Sequence, residues 1–316
     1  RFCVGGAVEG AQDYGALSTT GEQSDAAHVD PEDTAVILYT SGTTGQPKGA
    51  MLAHLNIIHS AMHFELCMEL GAQERSLLAV PASHVTGLVA TLFTMLRTAG
   101  CSVILRAFKA DTFLELAARE KVTQTLMVPA MYNLFLLRCN VADYDLDHWR
   151  IGGYGGAPMA HSTIAELSEK LPNLTLVNAY GATELSSPAT IMPLGQGHIR
   201  ADSVGHAVPC AEIRIVDETG RDVATGEHGE LWIKEPMVVP GYWNNPAIGR
   251  PDPVLGEKMQ VFVHSTDPTL DAETIKAFCA TRLADYKTPD FVTFSAEPLP
   301  RNANGKIVKK ALRDMV

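Results

Sequence analysis

The residues from Leu38 to Gly49, LYTSGTTGQPKG, pass abruptly from apolar side chains to small hydroxylated residues, glycines and one lysine. That composition suits a loop that holds phosphate. Gly42, Gly45 and Gly49 let the backbone approach an anion and turn its N–H groups inward, while Thr40, Ser41, Thr43 and Thr44 add hydroxyl donors and Lys48 adds charge. A flexible surface turn is the plain alternative, but a turn does not need several hydroxyls and a lysine among glycines straight after a strand. The spacing also excludes the Walker type of loop. That motif needs four residues between its glycines and a Ser or Thr after its lysine, whereas Gly42 and Gly45 stand closer together and Gly49 follows Lys48.

Three further clusters carry chemistry. Asn178-Ala-Tyr-Gly-Ala-Thr-Glu184 ends a strand with an aromatic ring, a glycine, a hydroxyl and a carboxylate, which can stack a base, cradle a phosphate and hold a divalent metal. Gly152-Gly-Tyr-Gly-Gly-Ala-Pro158 leaves room for a flat ligand at the carboxyl end of a parallel strand, although a tight turn accounts for the same residues equally well. Pro81-Ala-Ser-His84 places a histidine at the entry to an apolar helix, where a lone histidine is more often structural than catalytic.

The elements that must position these residues alternate along the chain. After an irregular lead-in over 1–33, a strand is expected at Thr34–Tyr39, directly before the phosphate loop. A helix follows at His54–Glu69, with Leu55, Ile58, Met62 and Leu66 on its apolar face. Strands are expected at Leu77–Val80, Ser102–Leu105, Thr125–Val128, Arg150–Tyr154 and Leu174–Asn178, and helices at Val85–Leu96, from Asp111, at Ala130–Leu137 and at Ser162–Glu169. That order predicts an α/β fold, a parallel sheet with covering helices. Beyond Gly195 the texture changes to short β runs, Glu212–Val216 and Glu230–Ile233, which predicts a small β subdomain over about 196–246. A second, small α/β domain is expected from 247 to 316: strand Met259–Val263, helix Asp271–Asp285, strand Phe291–Phe294 and a basic end, Lys306–Arg313.

Composition bounds the function. With 316 residues, 46% hydrophobic and 19% charged, the chain is an ordinary globular mixture long enough for about two domains. A formal net charge of -11 without a Lys/Arg cluster argues against nucleic-acid binding and against adhesion to anionic membrane. The cysteines at 3, 67, 101, 139, 210 and 279 form no C-x-x-C pair, so a zinc site or disulfide framework is not indicated and a cytoplasmic setting fits. No apolar run reaches transmembrane length.

From about Ala35 onward, six motifs in order resemble the signatures of the ANL superfamily of adenylate-forming enzymes, which includes acyl-CoA synthetases, carrier-protein adenylation domains and luciferases. They are LYTSGTTGQPKGAMLAH, PASHVTG, GGAPM, NAYGATE, GELWIK with PGYW, and LPRNANGKIVKKALR. The resemblance implies a large adenylation domain followed by a small mobile lid. It also implies site roles by position. The loop Thr40 to Lys48 would hold the β and γ phosphates of ATP, Glu184 would ligate Mg²⁺ and Thr183 would contact phosphate. Tyr180, beside Gly181, would stack on adenine, Gly155, Gly156, Ala157 and Pro158 would line the adenine and acyl pocket, His84 would lie near the substrate carboxylate, and Lys306 would bridge carboxylate and α-phosphate.

The implied reaction is ATP-dependent activation of a small-molecule carboxylic acid to acyl-AMP and pyrophosphate, followed by transfer to coenzyme A. A carrier-protein phosphopantetheine arm is the alternative acceptor, and an inactive nucleotide-binding regulator is the alternative from a different class. One departure stands out. GYWNNP runs straight into AIGRPDPVLGE, where the family continues with a segment holding the aspartate that binds the ribose hydroxyls, a hinge arginine and a glycine-rich loop; the family's N-terminal region before Arg1 is absent too. The expectation is a chain that represents part of a longer protein, broken between Pro246 and Ala247.

Overall fold

The computed structural model describes residues 2–3, 12–13, 27–40, 47–217, 219–234, 236–243, 248–252, 256–265, 267, 269–281, 288–300 and 312. The chain divides into two compact units, 1–31 and 32–316. In the first, β1 (Phe2–Cys3) pairs in parallel with β2 (Gln12–Asp13).

The second unit opens with an antiparallel hairpin of β3 (Thr34–Thr40) and β4 (Lys48–Ala53). The sequence shows only the first of these strands, because Gly49, Ala50 and Ala53 have low strand propensity. Helix α1 (His54–Cys67) begins at Ala53, whose N–H donates to Asn56 Oδ1 at 2.8 Å and so closes the first turn. Next come β5 (Arg75–Leu78), a π-helix over Thr86–Phe93 that runs into α2 (Thr94–Thr98), β6 (Cys101–Ile104), α3 (Ala110–Arg119) and β7 (Gln124–Met127). Helix α4 (Pro129–Arg138) starts on a proline, whose fixed φ suits a first helical position. It is followed by β8 (Ile151–Gly155), α5 (His161–Lys170) and β9 (Thr175–Tyr180).

Strands β5 to β9 form the parallel body of a seven-stranded sheet. Two short antiparallel strands, β10 (Thr190–Ile191) and β11 (His206–Ala207), extend its β9 edge, giving the order β11-β10-β9-β8-β7-β5-β6. Alternation along the strands sorts the core into two layers. Leu77, Met127, Tyr154 and Leu176 pack with α3, α4 and α5 around an aromatic cluster of Phe113, Tyr132, Phe135 and Trp149. Leu126, Ile151, Val177 and Ala179 face the other way, onto Phe64 and Met68 from the α1 side, Ala90 of the π-helix and Met95 of α2. The fold is thus the expected α/β sandwich of helices about a mainly parallel sheet.

The five parallel strands begin one or two residues away from where hydrophobicity alone places them. β5 ends at Leu78, so Ala79 and Val80 leave the sheet. The buried face of α1 also differs from its apolar stripe: Ile58 and Leu66 are exposed, whereas Asn56, Ile57, Ser60, Ala61, His63 and Phe64 are buried. Asn56 and Ser60 share that face with Ile57 and Phe64 because the segments packed on it offer backbone carbonyls for their side chains to bond.

Farther on, β12 (Glu212–Val216) and β13 (Glu230–Lys234) form an antiparallel pair. A three-stranded sheet, β14 (Ile248–Asp252), β15 (Gly256–Val263) and β16 (Phe291–Phe294), packs with α6 (Ala272–Ala280). Asp271 caps α6 by accepting from the Thr274 N–H at 2.7 Å. The expected basic end lies outside the described residues apart from Leu312, which packs on Phe262 and Leu299. No helix among the described residues is long and apolar enough to cross a membrane.

Candidate active site

Four strand ends build a cavity of about 520 Å³. Ala79, Val80 and Pro81 follow β5, Leu105 to Phe108 follow β6, Met127 ends β7 with Val128 just beyond, and Gly155 ends β8 with Gly156 just beyond; His84, Thr86 and Met131 complete the wall. β5 and β7 are neighbours, yet β5 leads out to β6 on one side and β7 to β8 on the other. The cavity therefore opens where the strand order reverses, the usual ligand position in such sheets. His84 is held in a turn by its N–H to the Pro81 carbonyl at 3.1 Å and leads into the π-helix by accepting from the Leu88 N–H at 2.9 Å. Gly87 lets that helix press on the backbone of Pro81 and Ala82, where a Cβ would collide with the Pro81 carbonyl.

The glycines of 152–156 divide in purpose. Gly152 and Gly153 are buried: a Cβ at Gly153 would strike Leu126, and one at Gly152 would be crowded by Leu176 and Tyr132, so they serve packing. The Tyr132 hydroxyl donates to the Gly153 carbonyl at 2.8 Å. Gly155 lies against the Ala179 carbonyl of β9, and Gly156 has φ of 75°, a left-handed value natural to glycine. Ala157 and Pro158 are exposed just beyond.

Beside β8, β9 delivers Tyr180, 39% exposed, and then a turn through Gly181 and Thr183 to Glu184. Two serines in that turn, Ser186 and Ser187, have φ of 51° and 55°. Consecutive left-handed non-glycine residues cost roughly 1–2 kcal/mol each. The turn is gripped from α1, where the buried Ser60 hydroxyl bonds to the Ser186 carbonyl at 2.7 Å and to that of Ser187. The Val239 N–H donates to the Glu184 carbonyl at 2.9 Å.

The hairpin of β3 and β4 contacts the Thr183–Leu185 turn through β4. Thr40 Oγ1 lies 3.5 Å from the Lys48 carbonyl, across the mouth of the loop. Residues 241–243 pair with β4: the Met51 N–H donates to Gly241 O at 3.0 Å and the Trp243 N–H to Gly49 O at 2.7 Å. Gly49 is covered by Ile37, Tyr39 and Trp243, so its missing side chain serves this packing. The pairing brings Tyr242 to the centre. Its hydroxyl donates to Glu184 Oε1 at 2.6 Å, and Lys48 Nζ sits 5.3 Å from its ring centroid. Burial, then the hydrogen bond and charge of Glu184, push the Tyr242 phenol above its ordinary value and keep it a donor.

The structure thus draws Thr40, Lys48, Thr183 and Glu184 to one place, and His84, Gly155 and Gly156 to the adjoining cavity. Ser41, Gly42, Thr43, Thr44, Gly45 and Lys306 lie outside the described residues. Tyr242, and Arg106 among the residues lining the cavity, escaped the reading of the sequence. PGYW was visible as a motif, but nothing local assigns its tyrosine to a carboxylate 58 positions away.

The donor set decides which metal the site suits. Among the described residues no group of three or more His, Cys, Asp or Glu gathers to cage an ion. Glu184 offers one carboxylate oxygen beyond its bond to Tyr242, with the Thr183 hydroxyl next in the chain. One carboxylate with hydroxyl neighbours fits Mg²⁺, which keeps several waters and arrives on substrate phosphates.

Comparison with known proteins supplies the family. The model of AMP-binding enzymes matches residues 5–243, and that of the AMP-binding enzyme C-terminal domain matches 246–306. The chain is 27% identical over 365 residues to the feruloyl-CoA synthase of an Amycolatopsis species, covering 95% of this chain and 73% of the relative. It is 29% identical over 352 residues to the indoleacetate–CoA ligase of Aromatoleum aromaticum, covering 91% and 68%. The fold matches the o-succinylbenzoate coenzyme A synthetase from Bacillus subtilis in complex with ATP and magnesium ion, at a TM-score of 0.65 and 24% identity over 96% of this chain and 75% of that one. The chain belongs to the AMP-binding enzyme family, the adenylate-forming acyl-CoA synthetases and ligases of the ANL superfamily.

Proposed function

We propose that this chain carries the adenylation site of an acid–thiol ligase that joins a carboxylic acid with an apolar, flat body to coenzyme A. The carrying observation is the adjacency of two features. Glu184 and Lys48 converge on Tyr242, and the apolar cavity with His84 at its wall opens beside them at the same sheet edge. In the first step a carboxylate oxygen attacks the α-phosphorus of ATP, and pyrophosphate leaves. In the second a thiol, losing its proton, attacks the acyl carbon, and AMP leaves. Lys48 and the loop hydroxyls hold phosphate charge, Tyr180 stacks on adenine, and His84 orients the carboxylate. Lys306, outside the described residues, is the lysine that the resemblance assigns to bridging the carboxylate and the α-phosphate. Mg²⁺ held at Glu184 would supply neutralisation of phosphate charge when bound.

Cavity size and lining support the substrate class. About 520 Å³ lies within the range of small-molecule sites, and Val80, Phe108, Met127, Val128 and Met131 give it apolar walls. Relatives named for feruloyl-CoA and indoleacetate agree with a flat acid, while others of like identity are named for long-chain fatty acids, which the panel below separates. We also place a missing segment between Pro246 and Ala247 in the intact protein. The two family models meet close by, one ending at 243 and the other starting at 246, and the match to the feruloyl-CoA synthase runs over 365 positions where this chain has 316 residues; a sequencing read of the intact polypeptide across Pro246 and Ala247 checks this. A panel of acids from acetate through long fatty acids to cinnamates and indoleacetate, assayed for pyrophosphate release, tests the reading. Aryl acids should lead when coenzyme A is the acceptor. Release led by acetate or by long fatty acids would overturn the substrate class, and thioester formed only on a carrier protein would overturn coenzyme A.

A further inference from the structure

We propose that Tyr242 is the positioning residue of the metal–phosphate end of the site, fixing Glu184 through its hydroxyl and Lys48 through its ring. This inference rests on the nucleotide-binding reading above. Glu184 sits half-buried on a short turn, where a carboxylate left alone samples several orientations. The Tyr242 hydroxyl removes that freedom by occupying Oε1 at 2.6 Å, which leaves the other oxygen as the one available for a cation. The same ring lies under Lys48 Nζ at 5.3 Å, a cation–π arrangement that restrains an otherwise mobile ammonium. One side chain therefore sets the separation between a negative and a positive group, the two that phosphate-bound metal and bare phosphate need.

Tyr242 can do this only if it is itself rigid. Its neighbours Gly241 and Trp243 are bonded to Met51 and Gly49 of β4, at 3.0 and 2.7 Å. The preceding segment is anchored to α1 by Asn56 Nδ2 donating to the Pro236 carbonyl at 2.7 Å. Val239 then holds the Glu184 backbone carbonyl while Tyr242 holds the side-chain carboxylate, so the same short segment grips Glu184 at two points. A tyrosine kept merely for packing would need neither the hydroxyl nor the ring face so placed.

The hydroxyl and the ring can be separated by substitution. Tyr242→Phe keeps the ring under Lys48 and loses the bond to Glu184, whereas Tyr242→Leu loses both. The measurement is Mn²⁺ binding in the presence of ATP, read by the paramagnetic signal of free Mn²⁺, alongside metal-free ATP binding by calorimetry and thermal unfolding on the same full chain. Removing a residue that orients a metal ligand weakens metal binding by roughly 10- to 100-fold. Tyr242→Phe is expected to weaken Mn²⁺–ATP about tenfold with metal-free ATP binding unchanged, and Tyr242→Leu to weaken both. In a Glu184→Gln background, Tyr242→Phe should add no further loss. Unchanged Mn²⁺ affinity in Tyr242→Phe, or equal weakening with and without metal, would overturn the positioning role while leaving the nucleotide reading intact. Wild-type chain that binds neither ATP nor Mn²⁺–ATP would overturn both.

Discussion

Lys48 and Glu184 carry opposite charges within reach of one tyrosine, yet no ion pair joins them, which suits the proposed site for metal-bound phosphate. Exposed or half-exposed polar groups at a loop do little packing, so their substitution should spare the fold. Glu184→Gln is expected to raise the Mg²⁺ concentration needed for ATP use, and Lys48→Ala to slow pyrophosphate release by roughly 10- to 100-fold through loss of a charge-assisted contact. Thermal unfolding should move by no more than a few degrees in either; cooperative loss of structure in Lys48→Ala would make the lysine structural. At this scale the sequence was informative where residue type and chain position coincide. Glu184, Thr183 and Lys48 each stand at the end or start of an element, where a polar residue has no packing role to explain it, whereas His84 by itself read as structural and drew its expected role from the resemblance. Tyr242 was illegible because its role comes from a pairing between distant segments.

Helix α1 shows how an element can support a site without touching substrate. Its buried face presents Asn56 to the segment before Tyr242 and Ser60 to the strained turn after Glu184. Periodicity pointed instead to Leu55, Ile58, Met62 and Leu66, because hydrophobicity scales cannot see a face selected for close approach and hydrogen bonding. The same face buries His63, whose Nδ1 finds no partner among the described residues. Burial first, and the nearby His59 second, lower its pKa from 6.5 to about 4. Between those values the unfolded chain binds a proton that the folded chain refuses, so stability falls as pH drops from 6.5 toward 4. The loss from this residue is on the order of 2–3 kcal/mol at the lower end. Urea unfolding at pH 7 and pH 4.5 should show a smaller acid loss in His63→Phe than in wild type; an identical loss would mean that His63 does not carry it. The glycines of β8 were legible only in part: a cluster was visible, but which glycines pack and which line the cavity depends on partners in β7, β9 and α4.

For the whole molecule, the order β9-β8-β7-β5-β6 explains why residues from four separate stretches meet. Alternating strand and helix patterns made the parallel sheet readable, since each buried strand carries its own short apolar run. Its strand order was not readable, nor was the β3–β4 hairpin, because pairing is decided by the packing of the finished fold. That order puts the cavity, Tyr180 and Glu184 along one edge, so the acid and the nucleotide phosphates can be held side by side. The chemistry this predicts is transfer of a carboxylate oxygen to phosphorus. The direct measurement uses an acid with both carboxyl oxygens replaced by ¹⁸O, incubated with ATP, Mg²⁺ and coenzyme A and the intact protein, followed by mass analysis of the products. AMP should carry one ¹⁸O and pyrophosphate none, with the remaining label in the thioester. Unlabelled AMP, or label in inorganic phosphate, would contradict an acyl-adenylate and with it the function assigned to this site.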